Sequence, residues 1–181
     1  MEHPPGPLRK GDDKNQKSIM RGLRNNNPLN IRHSSSCWKG MTKEQTDASF
    51  VTFESLAYGY RAAWRTLFTY FYRFVSEKKH FTVRNIISRW APSTENNTEA
   101  YIRSVLQLSG IGGQERLLPP DNVQSYSKLS GLIAAMTVIE NGIRKEAVDN
   151  QAIGEGYKLA FPEKATELEE WFQEEDEYKE W

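Results

Sequence analysis

The chain has 181 residues, with 24 Lys and Arg against 24 Asp and Glu; a formal net charge of zero argues against a strongly DNA-wrapping protein. Eight Phe, eight Tyr and five Trp supply enough apolar surface for a real core and exclude wholesale disorder. No apolar run is long enough to span a membrane, and the single cysteine, Cys37, allows neither an internal disulfide nor a cysteine-based zinc site.

Residues 1–17 read as a disordered arm of Pro, Gly and scattered charge. They hold no apolar stretch that would serve as a secretory signal, so synthesis in a cytoplasm is expected, and if the protein works outside a cell something else must carry or release it. Residues 18–32 are dense in Arg, Asn, Gly and Pro and predict turns. Residues 48–53 alternate and carry β-formers, which predicts a short strand or hairpin arm. Ser55 is placed to cap a long helix running to about Ser76, with Leu56, Tyr60, Ala63, Trp64, Leu67, Phe71 and Val75 on one face. That face is too wide and aromatic for a surface helix, so Trp64, Leu67 and Phe71 are expected inside. A second helix is predicted over 82–90, ended by Pro92. A third runs from a Thr98 cap over 99–108 and closes at Gly110.

Residues 111–122 read as a Gly/Pro loop, and 125–141 as an amphipathic helix with Gly142 at the left-handed C-cap position. A further helix over 148–161 is weakened by Gly154 and Gly156, and Pro162 opens an acidic helical tail. The charge is split. Residues 163–181 hold nine acids and two bases, a net −7, and the rest of the chain carries +7. The expected architecture is mainly α (α+β): one helical domain over 18–161 with a small β element, flanked by the arm and the tail.

Three segments carry the polar chemistry. In 21–32 the run Asn25-Asn26-Asn27-Pro28-Leu29-Asn30 offers amides that donate and accept, suited to sugar hydroxyls and N-acetyl groups, or simply to building turns. Glu140 lies four residues from Met136 and seven from Ile133, beside the apolar stripe of its helix, and in the last turn. Partial burial and the helix dipole both disfavour a charged carboxylate there, which suits a general acid for glycosidic cleavage. In 90–98, Trp90 offers a face for a sugar ring or a core packing group, and Glu95 and Asn96 are polar loop residues before a helix. Glu95, then Glu54, are the candidates for a second carboxylate. No two of His3, His33 and His80 fall at metal-ligand spacing, so neither metal nor cofactor is expected. Cys37 beside Trp38 is either a small packed thiol or a nucleophile paired with His33, and the packed thiol is the simpler reading.

The blocks 21–32, Trp38-Lys39-Gly40, Phe50-x-x-Phe53, Gly59-Tyr60-Arg61-Ala62, Trp90-Ala91-Pro92 with Glu95-Asn96-x-Thr98 and Tyr101, and Ile139-Glu140-Asn141-Gly142 together resemble a family of small phage and prophage virion-associated proteins. That family's hallmark is Arg-Gly-x-Arg-Asn-Asn-Asn-Pro-Gly-Asn-Ile-Arg. The resemblance spans about residues 20–161 and implies a phage structural or lysozyme-like protein. Leu29 departs from it, standing where the pattern has Gly, so the turn must avoid a positive φ at 29 or place it on Asn30. The block Asn27-Pro28-Leu29-Asn30-Ile31-Arg32, with Trp38 and Phe50-x-x-Phe53, is also similar to autolysin-type N-acetylglucosaminidases of lysozyme-like fold. Their catalytic Glu ends a helix upstream of that block. Here residues 132–142 look like that helix, with Glu140 in the acid's place, which implies a circular permutation.

On this reading the protein binds and cleaves peptidoglycan glycan strands, with Glu140 and Glu95 catalytic and Asn25, Asn26, Asn27, Asn30, Arg32, Trp90 and Asn96 in contact with substrate. Other virion proteins are possible partners. Neither a membrane nor nucleic acid is an expected partner. The alternatives are a catalytically inactive virion or wall-binding protein and, more remotely, a nucleic-acid module using Arg61, Arg65, Arg73 and the Lys78-Lys79 pair.

Overall fold

A computed structural model describes residues 20–94 and 97–179. The predicted arm over 1–17 lies outside the described residues. The elements, numbered in chain order, are α1 (Arg21–Arg24), α2 (Leu56–Ser76), α3 (Val83–Trp90), α4 (Thr98–Ser109), α5 (Tyr126–Asn141), α6 (Asn150–Ala160) and α7 (Ala165–Lys179). The protein is thus mainly α. No helix among the described residues is long and apolar enough to cross a membrane.

Helix α2 is the axis of the core. The Ser55 hydroxyl accepts from the Tyr58 amide and satisfies one orphan donor of the first turn. Trp64 is fully buried, stacked on Tyr126 at 5.6 Å and met edge-on by Tyr157 at 4.9 Å, and its indole nitrogen donates to the Ile153 carbonyl. Leu67 is buried as expected. Phe71 is only half-buried, and Val75 is 58% exposed. Phe74 is buried in their place, its ring 6.2 Å from Phe81 and 6.0 Å from Tyr70 one turn earlier.

Helix α6 lies along α2 at close range. A Cβ on Gly156 would stand 2.6 Å from the Cβ of Tyr60 and 2.9 Å from the Arg61 nitrogen. The glycine that weakens the helix by propensity is what allows the two axes to approach. Helix α6 starts at Asn150, two residues after the predicted start, capped by Asp149. Helix α4 is capped by Asn97, not by Thr98, whose hydroxyl instead donates to the Ala91 carbonyl and ties α4 back to the end of α3. The acidic tail is helical and docked: Leu168 is fully buried and Phe172 meets Tyr126 edge-on.

The predicted turns at 18–32 begin instead with the single helical turn of α1. The predicted strand over 48–53 reduces to two isolated antiparallel bridges, Arg32 with Phe50 and Met41 with Phe53. Side chains take the backbone positions a ladder would use. Gln45 Oε1 accepts from the Thr52 amide, Asp47 Oδ1 accepts from the amides of Ser49 and Phe50, and Asn27 Nδ2 donates to the Val51 carbonyl. Backbone polar groups are satisfied without a sheet.

Candidate functional site

The Asn loop packs onto the C-terminal end of α5, although more than 100 residues separate them. Asn141 is fully buried at that junction. Its Nδ2 donates to the Pro28 carbonyl at 2.7 Å, and its Oδ1 accepts from the Leu23 amide at 3.0 Å. Gly142 follows in the left-handed conformation, φ +61°, and ends the helix. Leu29 is 2% exposed and anchors the loop in the core. The positive φ values fall on Asn26 (51°) and Asn30 (52°), so Asn30 absorbs the turn that a glycine at 29 would have made.

Glu140, one residue before Asn141, faces a cleft of about 310 Å³. Three neutral donors converge on its carboxylate. Asn30 Nδ2 reaches Oε2 at 2.9 Å, while the Tyr101 hydroxyl at 3.0 Å and Trp90 Nε1 at 3.4 Å reach Oε1. No Lys or Arg among the described residues lies within 4 Å of it, so an ion pair with Arg24 or Arg32 is not what holds it. Desolvation, reinforced by Glu140 itself, pushes the Tyr101 phenol well above its ordinary value, so Tyr101 remains a hydroxyl donor. The walls are aromatic: Trp38, Phe50, Tyr70 and Trp90. Arg32 and Glu140 are the charged side chains lining the cleft.

Of the sequence-predicted site residues, Glu140, Asn30, Arg32 and Trp90 share this cleft. Trp90 is a wall of it, half-buried, and not only a core group. Asn25, Asn26 and Asn27 do not line it. Asn27 is fully buried and spends its amide on Ile31 and Val51; Asn26 donates to the Phe53 carbonyl; Asn25 donates to Asp47. They build the loop that presents Asn30. Glu95 and Asn96 lie outside the described residues. Glu54 is exposed and does not line the cleft. Cys37 is exposed, so it is not a packed thiol; His33, also exposed, bonds the Asp47 carbonyl. Arg61 and Arg65 donate to the Leu159 and Ala160 carbonyls at the end of α6, where they satisfy orphan acceptors. Among the described residues no three His, Cys, Asp or Glu side chains group as metal ligands.

Sequence reasoning placed Tyr101 and Asn141 in the blocks of the phage-family resemblance but gave neither a role of its own. Tyr101 sits on an amphipathic helix where an aromatic reads as core. Asn141 is adjacent to Glu140, and a polar residue at a core-facing position before a C-cap glycine was the available signal.

Asp47 fixes the neighbouring loop. Its side chain is 9% exposed and takes both nitrogens of the Arg21 fork, at 2.5 and 2.6 Å. The Arg21 hydrogen bond, helped by Asn25 and the amides of Ser49 and Phe50, holds its carboxyl far below the usual range despite desolvation. A depressed folded value contributes stability that is present above the unfolded value of about 3.9 and is lost as pH falls below it. Urea midpoints measured from pH 6 to pH 2 should therefore fall in the acid limb, and Asp47→Asn should flatten that limb while lowering the plateau. An unchanged acid limb in Asp47→Asn would show that Asp47 contributes none of it.

No protein-family model matches the chain. Protein P5 of Pseudoalteromonas phage PM2 is 37% identical over 144 residues, which is 78% of this chain and 82% of that protein.

Proposed function

The chain belongs to the family of that phage protein, and on this premise we propose that it binds the glycan strands of peptidoglycan and cleaves them, with Glu140 as general acid in a lysozyme-like arrangement. The observation that carries the reading is the cleft itself: one carboxylate, held by three neutral donors, on the floor of an aromatic-walled groove. Trp90, Trp38 and Tyr70 offer faces for sugar rings, and Asn30 both orients Glu140 and reaches toward an N-acetyl group. Oε1 takes two of the three bonds, so Oε2, with one, is the oxygen suited to carry the transferable proton. The meeting of the Asn loop with the end of α5 supports the circularly permuted likeness to the glucosaminidases. With Glu140 the only carboxylate among the described lining residues, the substrate's own N-acetyl group would serve as the internal nucleophile, a known route for such glycosidases.

The same single carboxylate favours a second reading, a phage wall-binding component without turnover. Dye release from labelled, purified peptidoglycan separates the two. Release supports cleavage; sedimentation of the protein with the wall without release supports binding alone; neither would remove both.

A further inference from the structure

We propose that the cleft selects glycans carrying a carboxylate substituent and that Arg32 is the residue that reads it, an inference that rests on the glycan reading above. Two guanidinium groups lie over the Phe50 ring, that of Arg21 at 4.7 Å from its centre and that of Arg32 at 5.3 Å. Their circumstances differ. Arg21 is neutralised by Asp47 at 2.5 Å. Arg32 is exposed and, among the described residues, has no carboxylate within 4 Å. It lines the same cleft as Glu140, and no other charged residue among those described lines it.

A guanidinium held against an aromatic ring loses less freedom when it binds, and its fork matches a carboxylate with two parallel hydrogen bonds. The cleft therefore presents one acidic and one basic side chain. A strand bearing a carboxylate on alternate sugars would seat that group at Arg32. Peptidoglycan has this chemistry in the lactyl ethers that carry no peptide and, where the lactyl group is amidated, in the carboxylates of the peptide stem; a chain of N-acetylglucosamine alone does not.

The test compares three tetrasaccharides on the full chain by tryptophan fluorescence titration. The first is neutral N-acetylglucosamine oligomer, the second alternates N-acetylglucosamine with N-acetylmuramic acid bearing free lactyl carboxylates, and the third is its methyl ester. The wild type should bind the free acid about tenfold more tightly than the ester, the worth of one charge-assisted hydrogen-bond pair. Arg32→Gln should bring that ratio close to one, and Arg32→Lys should leave it between. The ratio is the readout, because a merely structural loss lowers both affinities alike. A wild-type ratio of one overturns the inference and leaves the glycan reading standing. A ratio that survives Arg32→Gln overturns Arg32 as the reader. Binding of none of the three removes the glycan reading, and this inference with it.

Discussion

Replacing Glu140 with Gln should lower wall hydrolysis by about 10²- to 10⁴-fold, the usual contribution of a positioned general acid. The fold should survive. The glutamine side chain would keep an oxygen for Trp90 and Tyr101, and would put an amide where Oε2 now meets Asn30. Two donors would then face each other unless the Asn30 amide turned, and Asn30 has a spare group for this: its Oδ1 is buried without a hydrogen-bond partner. Loss of the charge weakens three bonds, while removal of a negative group from a helix C-terminus relieves about 0.3–1 kcal/mol. The net change in stability should stay within about 1 kcal/mol. Glu140→Leu is the contrasting case. It leaves the Tyr101 hydroxyl without its acceptor, at about 1–3 kcal/mol, so thermal unfolding should separate the two variants. Equal hydrolysis by wild type and Glu140→Gln would dismiss Glu140 as the acid.

Gly59→Ala should be among the most damaging conservative changes in the chain. The added Cβ would stand 1.9 Å from the Asn26 carbonyl oxygen and 2.7 Å from Pro28 Cδ. Backbone, not a flexible side-chain tip, must yield there. Overpacking of a tight contact typically costs about 1–3 kcal/mol and sometimes more, and this contact should lie at or above the top of that range. The yielding partner is the loop that places Asn30 on Glu140, so activity should fall further than stability explains. Gly156→Ala provides the control. It crowds Tyr60 of α2 at 2.6 Å rather than the Asn loop, so it should lower the urea midpoint and leave the remaining folded protein with near-normal activity. Equal specific activities in both alanine variants would show that Gly59 positions nothing.

Helices were the legible part of the sequence because their signals are local. Ser55 caps where its side chain suggests, Thr82 caps the helix it was expected to begin, and Gly110 and Gly142 end their helices in the left-handed conformation. Errors arose where two local solutions were nearly equal. Asn97 and Thr98 are both good caps, and Thr98 has a better use for its hydroxyl at Ala91. Gly156 reads as a weakness in a helix until a second helix is seen against it. The cleft was legible only in part. That Asn30 and Glu140 share a groove was reachable through the permuted likeness. That Asn27 is a buried scaffold and Asn30 the half-buried residue that reaches Glu140 is fixed by which residue stands at φ +52° and which faces Val51, and neither follows from composition. Tyr101 and Phe50 enter through packing between elements distant in sequence, which periodicity does not encode.

The bonds from Asn30 to Glu140 and from Asn141 back to Pro28 span 110 and 113 residues. Their length sets a schedule for synthesis. A ribosome adding about 5–20 residues per second needs roughly 6–22 s to travel from Asn30 to Glu140, and through that interval the nascent Asn loop has no α5 to close upon. Closing so long a loop adds little entropic cost compared with a shorter one, so the delay is one of timing and not of stability. A translation product released before residue 140 carries the loop and the Arg32 platform but lacks Glu140 and the capping glycine Gly142. The host that makes this protein therefore meets a complete cleft only after most of the chain has been made.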